Sequence, residues 1–250
     1  MSPRNAYTNP AMPPLITSHA ACRGHAPENT IAGIRAALRH KADAIEIDLH
    51  CTRDGVPVLI HDATLERTTD GEGEVADLSL RQARKLNAAA SLPGSKRHEI
   101  PTLREVLTAV NGRALLVLEI KASKIEEAVL DAVRREKALD YCAVHSFRPA
   151  IIERVRKLER RMPCSLLTTG HDVKDWDQLL GFALSLNAQG VSVHHSAVSA
   201  KRVRRAHLRE LRFSTWTVNK RDDVRRVAAC GVDAITSDYP DRVRRWLPKR

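Results

Sequence analysis

Glu46 and Asp48 stand two residues apart in Ala44-Ile45-Glu46-Ile47-Asp48-Leu49, and Glu119 and Lys121 stand two apart in Leu118-Glu119-Ile120-Lys121. Both segments read as short β-strands, in which residues i and i+2 share a face. The two carboxylates of the first segment therefore point one way, while Ile45, Ile47 and Leu49 point the other way and can pack against helices. Ionised side chains turned into an interior are costly unless paired or metal-bound. Three carboxylates against one lysine leave an excess of negative charge. One divalent cation, Mg2+ or Ca2+, suits such hard oxygen ligands, with water completing its shell. An inward salt bridge between Lys121 and one carboxylate is the simpler alternative. The same polar pair at the ends of two strands favours a functional site.

Two histidines add to this set. His19 ends the run Leu15–His19, and His61 follows the run Val56–Ile60 and precedes Asp62, which is placed to orient its ring. Two imidazoles near one divalent cation suit acid–base work on a phosphate ester. One takes a proton from the attacking oxygen and the other gives one to the leaving alcohol, while the metal neutralises charge on the phosphoryl oxygens. His145 and His194 end strands and could line the same pocket. His25, His40, His50, His98, His171, His195 and His207 read as hydrogen-bonded structural residues.

The elements that must position these groups alternate along the whole chain. Eight apolar runs, Leu15–His19, Ala44–Leu49, Leu115–Ile120, Tyr141–Ser146, Ser165–Thr168, Gly190–Val193, Phe213–Val218 and Ala234–Ser237, read as strands. Amphipathic stretches follow each, from Thr30–His40 to Pro240–Leu247, with apolar residues at helical spacing such as Ile151, Ile152, Val155 and Leu158. Eight β-then-α units in 250 residues predict an α/β fold, an eight-stranded parallel (β/α)8 TIM barrel. The open doubly wound sheet would want a Gly-rich phosphate loop after the first strand, and neither GxGxxG nor GxxxxGK[ST] occurs. Thr52-Arg53-Asp54-Gly55 followed by Val56–Ile60 reads as a hairpin appended to strand two. Residues 62–101 read as a small insertion over the barrel mouth. The whole is expected to be one domain over residues 15–250, preceded by a flexible tail at 1–14 whose Pro3, Pro10, Pro13 and Pro14 suit neither helix nor signal peptide.

These residues resemble the glycerophosphodiester phosphodiesterase family. The family's histidine, Pro-Glu-Asn-Thr, Glu-x-Asp, Asp-Gly, His-Asp and Arg-Thr stand here as His19, Pro27-Glu28-Asn29-Thr30, Glu46-Ile47-Asp48, Asp54-Gly55, His61-Asp62 and Arg67-Thr68. Leu118-Glu119-Ile120-Lys121 is similar to its third-strand motif. Ser146-Phe147, Trp216-Thr217-Val218-Asn219, Gly231-Val232-Asp233-Ala234 and Asp238-Tyr239-Pro240 are similar to its later signatures. The resemblance implies metal-dependent hydrolysis of glycerophosphodiesters to glycerol 3-phosphate and an alcohol. It implies that Glu46, Asp48 and Glu119 hold the metal, that His19 and His61 are the catalytic pair, that Lys121 meets the phosphate, and that Trp216 walls the glycerol end. The substrate's neighbouring hydroxyl or a water is the nucleophile. One departure stands out: the family's His-Arg-Gly reads His19-Ala20-Ala21 here. Arg23 is the residue expected to replace the missing phosphate contact. A degenerate barrel that binds phosphodiesters or anionic surfaces without turnover is the alternative, as is a phospholipase D-like enzyme acting on lysophospholipids.

Composition bounds the partners. Forty-three per cent hydrophobic residues suffice for a core, and the formal net charge of +11 favours anionic partners. Lys201, Arg202, Arg204, Arg205, Arg209 and Arg212 crowd one helix and its exit, and Arg242, Arg244, Arg245, Lys249 and Arg250 crowd the C-terminus. Such runs read first as solvated helix faces. With 4% aromatics and no helix-turn-helix, zinc-finger or RNA-binding signature, no nucleic-acid partner is expected. A weak attraction to an anionic membrane surface is the remaining use of the charge. The expected partner is a small phosphodiester, and no protein partner is inferred. No apolar run approaches the roughly 20 residues of a membrane span. The five scattered cysteines, without a CxxC, argue against a disulfide framework and for a cytoplasmic setting. Cys22 reads as a bystander.

Overall fold

The alternation of apolar runs and amphipathic stretches folds into a closed barrel. The structure, a computed structural model, describes residues 13–247. Residues 1–12 of the expected tail, and Lys249 and Arg250, lie outside the described residues. The strands are β1 (Leu15–Ser18), β2 (Ala44–Cys51), β3 (Pro57–Leu59), β4 (Leu115–Ile120), β5 (Cys142–Ser146), β6 (Cys164–Thr168), β7 (Gly190–His194), β8 (Arg212–Trp216) and β9 (Ala234–Ser237). The helices are α1 (Ile31–Arg39), α2 (Leu80–Ala83), α3 (Leu103–Val110), α4 (Glu126–Arg135), α5 (Pro149–Leu158), α6 (Trp176–Ser185), α7 (Ala200–His207), α8 (Arg221–Ala229) and α9 (Pro240–Trp246). Eight strands run parallel in the order β1-β9-β8-β7-β6-β5-β4-β2, and β1 closes on β2 through Thr17–Ala44 and Ser18–Ile45. β3 lies outside the ring, antiparallel to the end of β2, with Leu49 opposite Leu59 and Cys51 opposite Pro57. Gly55, at φ +79°, makes that turn.

Local chemistry explains the element ends. Thr30 caps α1 by accepting from the Gly33 N–H at 3.1 Å, and Thr102 and Glu105 form a capping box on α3. The Val173–Leu186 pattern yields a helix only from Trp176 because the Asp175 side chain accepts from the N–H groups of Asp177 and Gln178 and ends it there. Tyr141 belongs to a short 3-10 turn that precedes β5.

The outward residues of β2 and β4 (Ile45, Ile47, Leu49, Leu116, Leu118, Ile120) are at most 1% exposed beneath the helices. Each contributes about 1.5–3 kcal/mol of burial. Their neighbours of opposite parity face the barrel axis, and the register sets Asp48 level with Glu119 and Glu119 level with His145. The 62–101 segment packs Leu65, Val75, Ala83 and Ala88 onto Val58 of β3 and Ile60 in a small second core. It touches the β1–α1 loop through Arg67 and Glu28 and the start of α3 through Arg84 and Glu105.

The basic helix α7 is partly committed to intramolecular contacts. Arg205 and Arg209 each pair with Asp177 of α6 at 3.0 Å, and the Arg202 guanidinium lies 4.3 Å over the Trp176 ring. All five cysteines are free thiols. Among the described residues, no helix is long and apolar enough to cross a membrane.

Candidate active site

The strand ends bring together the residues expected of them. One oxygen each from Glu46, Asp48 and Glu119 lies within 4.8 Å of the other two. Lys121 Nζ lies 2.5 Å from Glu119 Oε1 and 2.9 Å from Asp48 Oδ1. The inward salt bridge and the carboxylate cluster are thus both present, in one arrangement. Asn29 fixes Asp48 from the β1–α1 loop: its amide donates to Oδ2 at 2.8 Å, and its oxygen accepts from the Asp48 N–H at 3.1 Å.

Glu46 is held by the backbone beside it. The Ala20 N–H donates to Oε2 at 2.7 Å, and the Ala21 N–H donates to the Glu46 carbonyl at 2.7 Å. This requires Ala20 and Ala21 to adopt φ of +44° and +66°, a left-handed conformation costing a non-glycine residue about 1–2 kcal/mol. Both alanines of His19-Ala20-Ala21 thus hold a backbone conformation that favours glycine. Farther along the loop, a Cβ on Gly24 would lie 2.5 Å from both the Asp238 carbonyl and the Tyr239 ring. Gly24→Ala is expected to cost about 1–3 kcal/mol through overpacking, lowering Tm by several degrees in a thermal melt. An unchanged Tm would show that the loop moves aside freely.

Electrostatics separate the carboxylates. Burial, then the charge of Asp48, pushes Glu46 up to about 8. Burial also raises Glu119. Burial would raise Asp48 too, but Lys121, His61 and the Asn29 amide outweigh it and its pKa is lowered. Glu46 Oε1 is buried without a hydrogen-bond partner, and Asp48 Oδ1 meets only the Lys121 ammonium, at 2.9 Å. An orphaned hard oxygen within a convergent set of three carboxylates fits a divalent cation.

Each imidazole is oriented by a carboxylate. His19 Nδ1 lies 2.6 Å from Asp238 Oδ1, and Asp238 Oδ2 accepts from the Asn219 amide at 2.7 Å. His61 Nδ1 lies 2.6 Å from Asp62 Oδ1, and Arg67 bridges Asp62 to Glu28. A carboxylate on Nδ1 favours the tautomer that leaves Nε2 to act as acceptor. Burial would lower His19, but the Asp238 hydrogen bond and the Glu46 charge prevail and raise its pKa. His19 thereby contributes stability at low pH that is lost as pH rises through the raised value. Asp238→Asn is expected to move the His19 titration downward, read by NMR of the imidazole; an unmoved titration would deny Asp238 this influence.

Other predicted residues stand farther round the rim. Trp216 ends β8, its Nε1 donating to the Ser192 carbonyl at 3.2 Å. Phe147 and His194 meet its ring edge to face at centroid distances of 5.5 and 5.3 Å, forming an aromatic wall. Arg23 is partly exposed, 3.7 Å from Asp238 and 3.9 Å from Glu28. His145 lies beside Glu119, where burial pushes its pKa down to about 4. Cys22 is buried and its thiol pKa is raised, mainly by that burial. The motifs contained Asn29, Glu28, Arg67, Asn219 and Asp238, but the sequence reading assigned them no task. Their contacts span up to 219 positions, and nothing in their local spacing signals a partner. A separate surface groove of about 720 Å³ is lined in part by Ile31, Arg35, Leu80 and Thr108. It gathers no set of acid, base and cation ligands.

Two carboxylate-held imidazoles beside a convergent carboxylate set are groups that could carry acid–base chemistry. Residues 19–242 match the glycerophosphoryl diester phosphodiesterase family, and the chain belongs to that family. It is an enzyme, a phosphoric diester hydrolase. A glycerophosphodiester phosphodiesterase of Caldanaerobacter subterraneus is 32% identical over 238 residues, covering 92% of this chain and 96% of the relative. The solved structure of an Oleispira antarctica phosphodiesterase, in complex with the product sn-glycerol-3-phosphate, superposes with a TM-score of 0.86 at 25% identity over 94% of this chain and 96% of that one. A Thermotoga maritima glycerophosphodiester phosphodiesterase, at 18% identity and a TM-score of 0.79 over 94% and 98% of the two chains, shares the fold.

Proposed function

We propose that the protein hydrolyses glycerophosphodiesters to sn-glycerol 3-phosphate and an alcohol, with a divalent cation bound by Glu46, Asp48 and Glu119 and with His19 and His61 as the acid–base pair. The observation that carries this reading is the pairing of two carboxylate-held imidazoles, each at 2.6 Å, with a convergent carboxylate set that leaves a buried Glu46 oxygen unpartnered. The product bound in the Oleispira antarctica relative supports the choice of glycerol 3-phosphate.

When bound, Mg2+ or Ca2+ would offset the charge that develops on the phosphoryl oxygens. His19 and His61, with Nδ1 engaged, use Nε2: one ring takes the proton of the attacking oxygen, the other protonates the leaving alcohol. Lys121 supplies a positive charge at the rim of the same set for a phosphate oxygen. Trp216, backed by Phe147, gives the glycerol end an apolar wall. Arg23 stands beside the carboxylates that hold His19 and Arg67 and takes the phosphate contact left by Ala20. Arg23→Ala then loses a charge-assisted contact worth roughly 1.5–3 kcal/mol, so KM is expected to rise about tenfold or more; an unchanged KM would dispose of this role.

The test of the function is a product assay with glycerophosphocholine, glycerophosphoethanolamine and lysophosphatidylcholine, each with Mg2+ or Ca2+ and with EDTA. Release of glycerol 3-phosphate that EDTA abolishes and the cation restores is the expected result. Preferential cleavage of the lysophospholipid would establish the phospholipase D-like enzyme instead, and release that survives EDTA would overturn the role of the cation.

A further inference from the structure

A second cluster of ligating side chains lies on the outside of the barrel, between α1 and α9. His25 comes from the β1–α1 loop, His40 caps the C-terminus of α1, and Asp241 sits in the first turn of α9. One donor atom from each lies within 4.8 Å of the other two. His25 Nε2 lies 2.7 Å from Asp241 Oδ1, and the His25 and His40 rings stack with centroids 4.2 Å apart. We propose that His25, His40 and Asp241 form a second metal site that binds a transition cation of the zinc class.

The donor set decides the class of ion. Two imidazoles and one carboxylate suit Zn2+, Ni2+ or Cu2+, whereas Mg2+ and Ca2+ prefer sets built of oxygen. Three protein ligands leave a coordination position for water. The carboxylate set of Glu46, Asp48 and Glu119 has the opposite preference, so the two sites differ in the ion each selects.

The three ligands sit on segments already pinned together. Gly24 brings the loop into contact with the Asp238 carbonyl and Tyr239, so close that no Cβ fits. The Tyr239 ring meets His25 edge on at 5.7 Å. At the other end, the Arg244 guanidinium donates to the Lys41 carbonyl at 2.5 Å, which ties the end of α1 to α9. Arg245 holds Asp241 Oδ2 at 3.0 Å and leaves Oδ1 toward His25. The half-exposed side chains admit an ion from solvent. An ion there would replace the direct His25–Asp241 contact and join the loop carrying His19 to the segment that follows Asp238.

The test uses the untagged, metal-stripped protein with Zn2+ by equilibrium dialysis and Co2+ by visible absorption. Glu46→Gln/Asp48→Asn removes the competing carboxylate set, and this variant is expected to retain one equivalent of Zn2+. Adding His25→Gln or His40→Gln is expected to weaken that binding about 100-fold or more and to abolish the Co2+ ligand-field bands. In the wild-type background each histidine substitution is expected to remove one equivalent while leaving the other, an arm that decides the matter should the carboxylate variant fold poorly. Failure of the carboxylate variant to bind Zn2+, or binding that ignores both histidine substitutions, would overturn the proposal. Phosphodiesterase activity is not the readout, so this result stands apart from that of the product assay.

Discussion

Replacing Glu46 by glutamine is expected to abolish turnover and, in the metal-free protein, to raise Tm. The two effects have one cause. Glu46 and Asp48 place like charges side by side within the barrel, and Oε1 of Glu46 has no partner there. A set of this kind is unfavourable to fold around and useful for holding a cation. Loss of one ligand removes several kcal/mol of charge stabilisation in the transition state, so kcat should fall by about 10³-fold or more. The stability gain has a defined pH dependence. Glu46 is raised from 4.5 to about 8, so the folded state binds its proton more tightly than the unfolded state does. The stability associated with that proton is full below pH 4.5 and is lost as pH rises to 8. The advantage of glutamine over glutamate therefore grows through this window by roughly 3–5 kcal/mol, or several degrees in Tm. Thermal melts of both proteins in EDTA at pH 5 and pH 9 would measure it. Retained activity in Glu46→Gln would sink the cation-binding reading, and an equal Tm at both pH values would show that Glu46 is satisfied by other means.

His61→Ala is expected to lower kcat by about 10²–10⁴-fold, the range for loss of a general acid or base, with little change in Tm because the ring is 41% exposed. Asp62 keeps its contact with Arg67, so the loop should hold its shape. His19→Ala should cost a similar factor. The double variant should lose far less than the product of the two factors, because the residues act as a unit. Steady-state kinetics on glycerophosphocholine, with Mg2+ or Ca2+ saturating, measure all three. Full additivity, or a His61→Ala enzyme with unchanged kcat, would show that the imidazoles do not share one proton-transfer cycle.

Much of this site was legible along the chain. Glu46 and Asp48 had to share a face because strand geometry has period two, and Ile45, Ile47 and Leu49 had to face the helices for the same reason. The His61-Asp62 contact was legible because its partners are adjacent. The hairpin after β2 was legible from Asp54-Gly55. Contacts that depend on barrel closure were not. His19 meets Asp238 only because β1 pairs with β9, and Asn29 reaches Asp48 only because the β1–α1 loop folds back over β2. His25 and His40 read as ordinary structural histidines, since nothing near either in sequence announces Asp241.

The alternating elements, the face each charged residue takes, and the excess of acid over base at two strand ends follow from dihedral periodicity and composition, and so can be read along the chain. Which of those faces converge is settled by folding. It set Asp48 level with Glu119 through the β2–β4 register, brought Asp238 to His19, and left Glu46 Oε1 without a partner. Convergence is a property of barrel closure and strand register. Both arise from pairings between distant segments, which local periodicity does not encode.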